Sequence, residues 1–117
     1  MSGSASGTRK MALWAAELAA EKKAEDLALL EVGRVSFIAD YFLIATGATG
    51  IRVRTICDHL LEKIKEAGLV PLRVEGYREG WWVVLDFGDL VVHLLQPEAR
   101  EFYKLERLWS RAPQVDL

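Results

Sequence analysis

Two apolar runs, residues 81–86 (WWVVLD) and 89–95 (DLVVHLL), are separated by only Phe87 and Gly88. A two-residue link between runs of this kind predicts a tight β-hairpin, which commits the chain to a sheet. With Phe87 and Gly88 as the turn, Asp86 faces Asp89, Leu85 faces Leu90, Val84 faces Val91, Val83 faces Val92, Trp82 faces His93 and Trp81 faces Leu94. Alternation then separates two faces. Trp81, Val83, Leu85, Leu90, Val92 and Leu94 form an apolar face that belongs against a core. Trp82, Val84, Asp86, Asp89, Val91 and His93 form a mixed one.

The rest of the chain supplies helices to cover such a sheet. Residues 9–25 are rich in Ala, Glu, Lys and Leu, with Met11, Trp14 and Leu18 at helical spacing and Thr8 available as an N-cap. Residues 27–32 form a short apolar run closed by Gly33. Residues 41–46 form a second, closed by Gly47, whose lack of alternation suggests a central strand covered on both faces. A second helix is expected over residues 51–67, where Val53, Ile56, Cys57, Leu60 and Ile64 make one stripe and Gly68 sits at the C-terminal cap. Cys57 lies inside that stripe and reads as a small core residue. Leu72 and Val74 alternate with Arg73 and Glu75 as a third strand, polar on one face, reached by a parallel crossover. Pro97 opens a third helix to about residue 109. The expected layout is helix, two strands, helix, three strands, helix. It describes a single α/β domain at residues 9–109 with a mixed five-stranded sheet, between a flexible lead at residues 1–8 and a frayed tail at residues 110–117.

At 117 residues the chain is one domain long, and its 51% apolar and 27% charged residues exclude a disordered or collagen-like polymer. One Cys and two His make a disulfide framework impossible and argue on count alone against a Cys/His zinc site. The formal charge of −2 and pI near 5.7 argue against a module that holds RNA chiefly by its phosphates. No apolar run is long enough for a membrane span. A cytoplasmic protein that touches other protein is the expectation, with no membrane and no direct sequence-specific nucleic acid binding.

Three helices do not easily cover both faces of five strands, so part of the mixed face should be exposed. An aromatic anchor within a charged rim is the make-up of a protein-binding surface. A helix packed over the same face, with Asp86 and Asp89 as solvated turn residues, accounts for the pattern equally well. Facing carboxylates are mildly destabilising, which invites either a basic partner group between them or a divalent metal. His93, about 13 Å beyond Asp89 along a strand, is too far to share one ion with the pair. The turn Thr46, Gly47, Ala48, Thr49, Gly50 follows a strand and opens a helix. It fits neither phosphate-loop fingerprint, so Thr49 as a helix cap is the plainer reading.

Three ordered stretches resemble one known family. Residues 80–109 (GWWVVLDFGDLVVHLLQPEAREFYKLERLW), 35–47 (VSFIADYFLIATG) and 67–76 (AGLVPLRVEG) are similar to the ribosomal silencing factor family, also called Iojap. The resemblance implies a small α/β fold related in shape to nucleotidyltransferases. It implies a non-catalytic factor that binds the large ribosomal subunit through the ribosomal protein numbered fourteen, blocks docking of the small subunit and silences translation. The family's Trp-x-x-x-Asp-aromatic-Gly-Asp run falls on Trp82, Asp86, Phe87, Gly88 and Asp89, and its His on His93. Phe87 stands where the family usually has Tyr, and Ala39 where a small polar residue is common. Partner binding is accordingly expected at Trp82, Val84, Asp86, Phe87, Asp89, Val91 and His93, with no catalytic residue, cofactor or metal. Self-association into a homodimer is compatible with this surface. The competing class is a nucleotidyltransferase-like enzyme holding magnesium on Asp86 and Asp89 and a phosphate at residues 47–50, which requires those two features to converge.

Overall fold

The computed structural model describes residues 2–117, with side chains from residue 7 onward. In chain order it contains α1 (Ser2–Glu21), β1 (Glu25–Leu30), a 3-10 turn at Val32–Arg34, β2 (Tyr41–Thr46), α2 (Gly50–Glu66), β3 (Arg73–Glu75), β4 (Trp82–Asp86), β5 (Leu90–Leu95), α3 (Pro97–Tyr103), α4 (Leu105–Leu108) and β6 (Gln114–Val115). The strands lie in the order β3-β4-β5-β2-β1-β6. Only β2 and β5 pair in parallel, and every other pair is antiparallel. Among the described residues, no helix is long and apolar enough to cross a membrane.

The unalternated run YFLIAT becomes β2, a central strand buried at all six positions. One core lies between the sheet and α1 and α2. Small residues on α1 (Ala12, Ala15, Ala16, Ala19) let that helix sit close, and Val53, Ile56, Cys57, Leu60 and Ile64 of α2 meet Leu43, Val83, Leu85, Val92 and Leu94. Burial, and after it the charge of Asp58, pushes the Cys57 thiol up to about 12, as suits a packing residue rather than a nucleophile. Thr49 caps α2, its Oγ1 accepting from the Arg52 N–H at 3.1 Å. A second core lies on the opposite face, where Ala99 and Leu105 of α3 and α4 cover Phe42, Ile44, Val91 and Leu95.

The α/β class and the helix-and-strand order match the reading of the sequence, and several boundaries move. The first helix begins at Ser2 and ends at Glu21, so Thr8 lies inside it rather than at its cap. The lead assigned to residues 1–8 thus joins a helical backbone from Ser2, while Met1 falls outside the described residues. The first strand starts at Glu25, which pairs with Thr46, and the register slips between Glu25 and Ala28, where Asp26 takes a left-handed backbone (φ 51°). Val32 leaves the strand and is buried in the second core. β3 runs in the direction of β2, as the crossover required, but β5 and β4 lie between them.

The C-terminal region departs further. A single helix to residue 109 was expected, yet Lys104 adopts φ 49° and divides it into α3 and α4. The break turns Leu105 and Trp109 onto the sheet, Trp109 meeting Phe42 edge-on at 5.2 Å between ring centroids. It is held by Arg100, whose guanidinium reaches forward to both Glu106 carboxylate oxygens and donates to Thr46 Oγ1 at 2.9 Å. The tail is not frayed. Residues Gln114 and Val115 pair with Leu30 and Leu29 of β1, and the Glu31 N–H donates to the Pro113 carbonyl at 2.8 Å, adding a sixth strand to the expected five.

The hairpin turns one residue later than its spacing suggested. The Phe87 N–H donates to the Leu90 carbonyl at 2.9 Å, so Gly88 and Asp89 form the turn, with Gly88 at φ 92° supplying the positive φ such a turn needs. Asp86 therefore pairs with Val91, Val84 with His93 and Trp82 with Leu95. The shift of two positions leaves each residue within β4 and β5 on its original face, because side-chain direction repeats every two residues. Trp81, expected against the core, instead precedes β4 and is exposed, and Asp89 falls in the turn.

A second glycine shows how tightly the sheet edge is drawn. Gly76 (φ 81°) sits where a Cβ would collide with the Trp82 carbonyl oxygen. Gly76→Ala is expected to lower unfolding stability by more than ~2 kcal/mol, from left-handed strain together with the backbone clash. Urea denaturation checks this, and an unchanged midpoint would show that the edge yields freely.

Candidate functional site

Cross-strand partners share a face, so the register defines the mixed surface outright. Arg73 pairs with Asp86 and Glu75 with Val84, while Asp86 pairs with Val91 and Val84 with His93. Phe42 and Ile44 of β2 continue these rows beside Val91 and His93. The segment from α3 to α4 covers the β5 and β2 side. Val91 and His93 are buried there, Trp82, Val84 and Asp86 are half-buried, and Arg73 and Glu75 are exposed. Both readings of this face hold in part: helices seal one half, and the β3–β4 half remains open.

Trp82 stands at the boundary. Its Nε1–H donates to His93 Nδ1 at 3.1 Å, and the Tyr103 ring lies 4.6 Å from its ring centroid. Tyr103 in turn meets Phe102 edge-on at 4.9 Å, and Phe102 is 75% exposed. A chain of rings thus runs from Phe102 at the surface through Tyr103 and Trp82 to His93, Phe42 and Trp109. Phe102 and Tyr103 were not among the residues singled out from the sequence. Helical spacing alone did not tell which side of α3 would lie along Trp82.

Asp86 is already engaged by its own chain. Oδ1 accepts from the Gly88 N–H at 2.8 Å and Oδ2 accepts from Arg73 Nε at 3.2 Å, while Arg73 also reaches Glu75 at 3.4 Å. The basic group invited by facing carboxylates is Arg73, signalled in the sequence by its alternation with Leu72 and Val74. The carboxylates themselves do not face each other. Asp89 is exposed in the turn, where its carbonyl accepts from the Asp40 and Tyr41 N–H groups. Phe87 points to the other side of the sheet and packs against the core beneath α1 and α2. Of the seven residues singled out, Trp82, Val84 and Asp86 share the open surface, Val91 and His93 lie under it, Asp89 marks its end and Phe87 is on the far face.

The enzyme reading required the turn at residues 47–50 to meet the carboxylates. That turn follows the C-terminal end of β2, whereas Asp89 binds the N-terminal end at Tyr41. The length of β2, about 17 Å at ~3.3 Å per residue, separates them. Asp86 and Asp89 thus form no pocket with the glycine turn.

Comparison with known proteins gives a consistent picture. The model of the family described as "Ribosomal silencing factor during starvation" matches residues 5–117. The ribosomal silencing factor RsfS of Bacillus subtilis (strain 168) is 39% identical over 97 residues, covering 83% of this chain and 82% of that protein. The factor of the same name from Halalkalibacterium halodurans is 41% identical over 97 residues, covering 83% of each chain. A crystal structure of a protein from Chromobacterium violaceum superposes with a TM-score of 0.84 at 30% identity, covering 87% of this chain and 85% of that one.

Burial holds the His93 imidazole down from 6.5 to about 4, so it is neutral at pH 7. The unfolded chain takes up this proton first as pH falls. The stability gained by keeping His93 neutral is therefore complete above pH ~6.5 and lost progressively down to pH ~4, about 3 kcal/mol in all. Urea unfolding of the parent and His93→Phe from pH 7.5 to 4 should show the parent losing about 2–3 kcal/mol more than the variant. Parallel pH profiles would mean that His93 is not held neutral by the fold.

Proposed function

This chain belongs to the ribosomal silencing factor family, and from that premise we propose that it silences translation by occupying the large ribosomal subunit. It docks on the basic ribosomal protein numbered fourteen at the intersubunit face and stands where the small subunit would join. The observation that supports this most is the half-open mixed face. Trp82 and Val84 provide an apolar floor on the open half of the face, with Asp86, Glu75 and Asp89 around it and Arg73 bonded to Asp86. An aromatic anchor with an acidic rim suits a basic protein surface. The chain acts in the cytoplasm by occupancy, without chemistry of its own. A part in large-subunit assembly is also proposed. A mouse relative named "Mitochondrial assembly of ribosomal large subunit protein 1" is 30% identical over 93 residues, which is 77% of this chain and 41% of that protein.

Sedimentation with isolated large subunits, small subunits and whole ribosomes tests the docking. Binding to free large subunits alone is expected, with less reassociation into whole ribosomes. Trp82→Ala should weaken binding about 30-fold or more, and Asp86→Ala about tenfold. Parent-like binding by both variants would place the contact elsewhere.

A homodimer is favoured by a separate feature. β3 is an open sheet edge, and Leu72 and Val70 beside it are strongly exposed. Antiparallel pairing of two copies with Val74 on the two-fold axis sets Arg73 of each against Glu75 of the other. Arg73→Glu and Glu75→Arg should each be monomeric alone and form a heterodimer when mixed, as read by light scattering. Two monomers that stay apart on mixing would dismiss this edge.

A further inference from the structure

We propose that His93 is the positioning residue of the docking surface, fixing the orientation in which Trp82 is presented while touching no partner itself. The inference rests on the docking role of Trp82 proposed above. Trp82 and His93 are diagonal neighbours across β4 and β5, because the direct partner of Trp82 is Leu95 and that of His93 is Val84. That diagonal lies within reach of a long side chain, and the indole N–H uses it to meet Nδ1 at 3.1 Å.

The imidazole has little freedom to do anything else. It is 7% exposed, and Phe42 lies against it in an edge arrangement at 4.7 Å between centroids. Since Nδ1 accepts from Trp82, the neutral ring carries its proton on Nε2. Nε2 is buried and has no hydrogen-bond partner among the described residues. An unsatisfied buried donor is destabilising, a cost that an apolar side chain of similar volume would avoid. What the imidazole supplies and a leucine would not is an acceptor for the indole. Protonation would turn Nδ1 into a donor and break that bond, and burial, which holds the pKa near 4, keeps the acceptor available at neutral pH.

The indole is thereby held from two sides. His93 fixes its nitrogen edge inward, and Tyr103 lies beside its ring. Without the acceptor, the N–H must turn toward water to be satisfied, and the ring turns with it. The apolar floor beside Val84 then loses its shape although every surface residue is still present.

The test compares His93→Leu, which has no acceptor, with His93→Asn, whose Oδ1 can stand where Nδ1 stood. Two readouts are used: the ¹H–¹⁵N resonance of the Trp82 indole, assigned by its loss in Trp82→Phe, and affinity for isolated large ribosomal subunits. In His93→Leu the indole resonance should move toward that of a solvated indole and affinity should fall about tenfold. His93→Asn should restore both in large part, and His93→Leu should have no further effect on affinity when Trp82 is already Phe. An unmoved indole resonance in His93→Leu would overturn the proposal. So would a moved resonance with parent-like affinity in a protein where Trp82→Ala still weakens binding, and there the docking face itself would stand. If Trp82→Ala binds like the parent, the docking reading falls and takes the positioning role with it. Should His93→Leu fail to fold, His93→Phe supplies the acceptor-free member of the same comparison with His93→Asn: an indole resonance that His93→Phe leaves unmoved overturns the proposal.

Discussion

The parallel pairing of β2 with β5 is the constraint on which the other elements depend. Both strands are buried on both sides, and they run in the same direction, so neither can be joined to the other by a tight turn. Each instead feeds a helix at the same end of the sheet. The helix after β2 packs on one face and the helix after β5 packs on the other. The second of these is short and broken, and it covers only part of its face. The surface beside Trp82 stays open for that reason: the sheet is wider than the helical material that follows β5.

How far this was visible in the sequence depended on whether a feature was local or came from distant contact. The membership of the mixed face was legible from alternation and survived a hairpin turn placed one residue too early, because parity is unchanged by a shift of two. The facing of Asp86 and Asp89 was not protected in this way and failed, since it depended on register rather than parity. Phe87 looked like a turn residue because of its position next to Gly88, but it is the last residue before the turn and faces the other core. Arg73 could be seen to alternate with apolar neighbours, yet its bond to Asp86 requires β3 to lie beside β4, a pairing that the crossover alone did not specify.

The C-terminal region was the least legible part. A two-residue strand has no periodicity to detect, and Gln114 and Val115 become one only because β1 offers them an edge. Lys104 is likewise ordinary in sequence, and its left-handed backbone is stabilised from outside by Arg100, which holds Glu106 and Thr46 across the break. Tertiary contact overrides local preference in both places.

Residues 97–117 leave β5, pass over Trp82 and Phe42, and end as a strand against β1. The same stretch therefore forms the wall of the proposed docking surface and the closing seam at the opposite edge of the sheet. These two places are far apart in the sheet but continuous in the chain, so the contour offered to a partner is coupled to a seam that the partner never reaches. A change at the last residues of the chain would reach the proposed surface only through this continuous stretch, by way of the β1 seam and the α3–α4 wall.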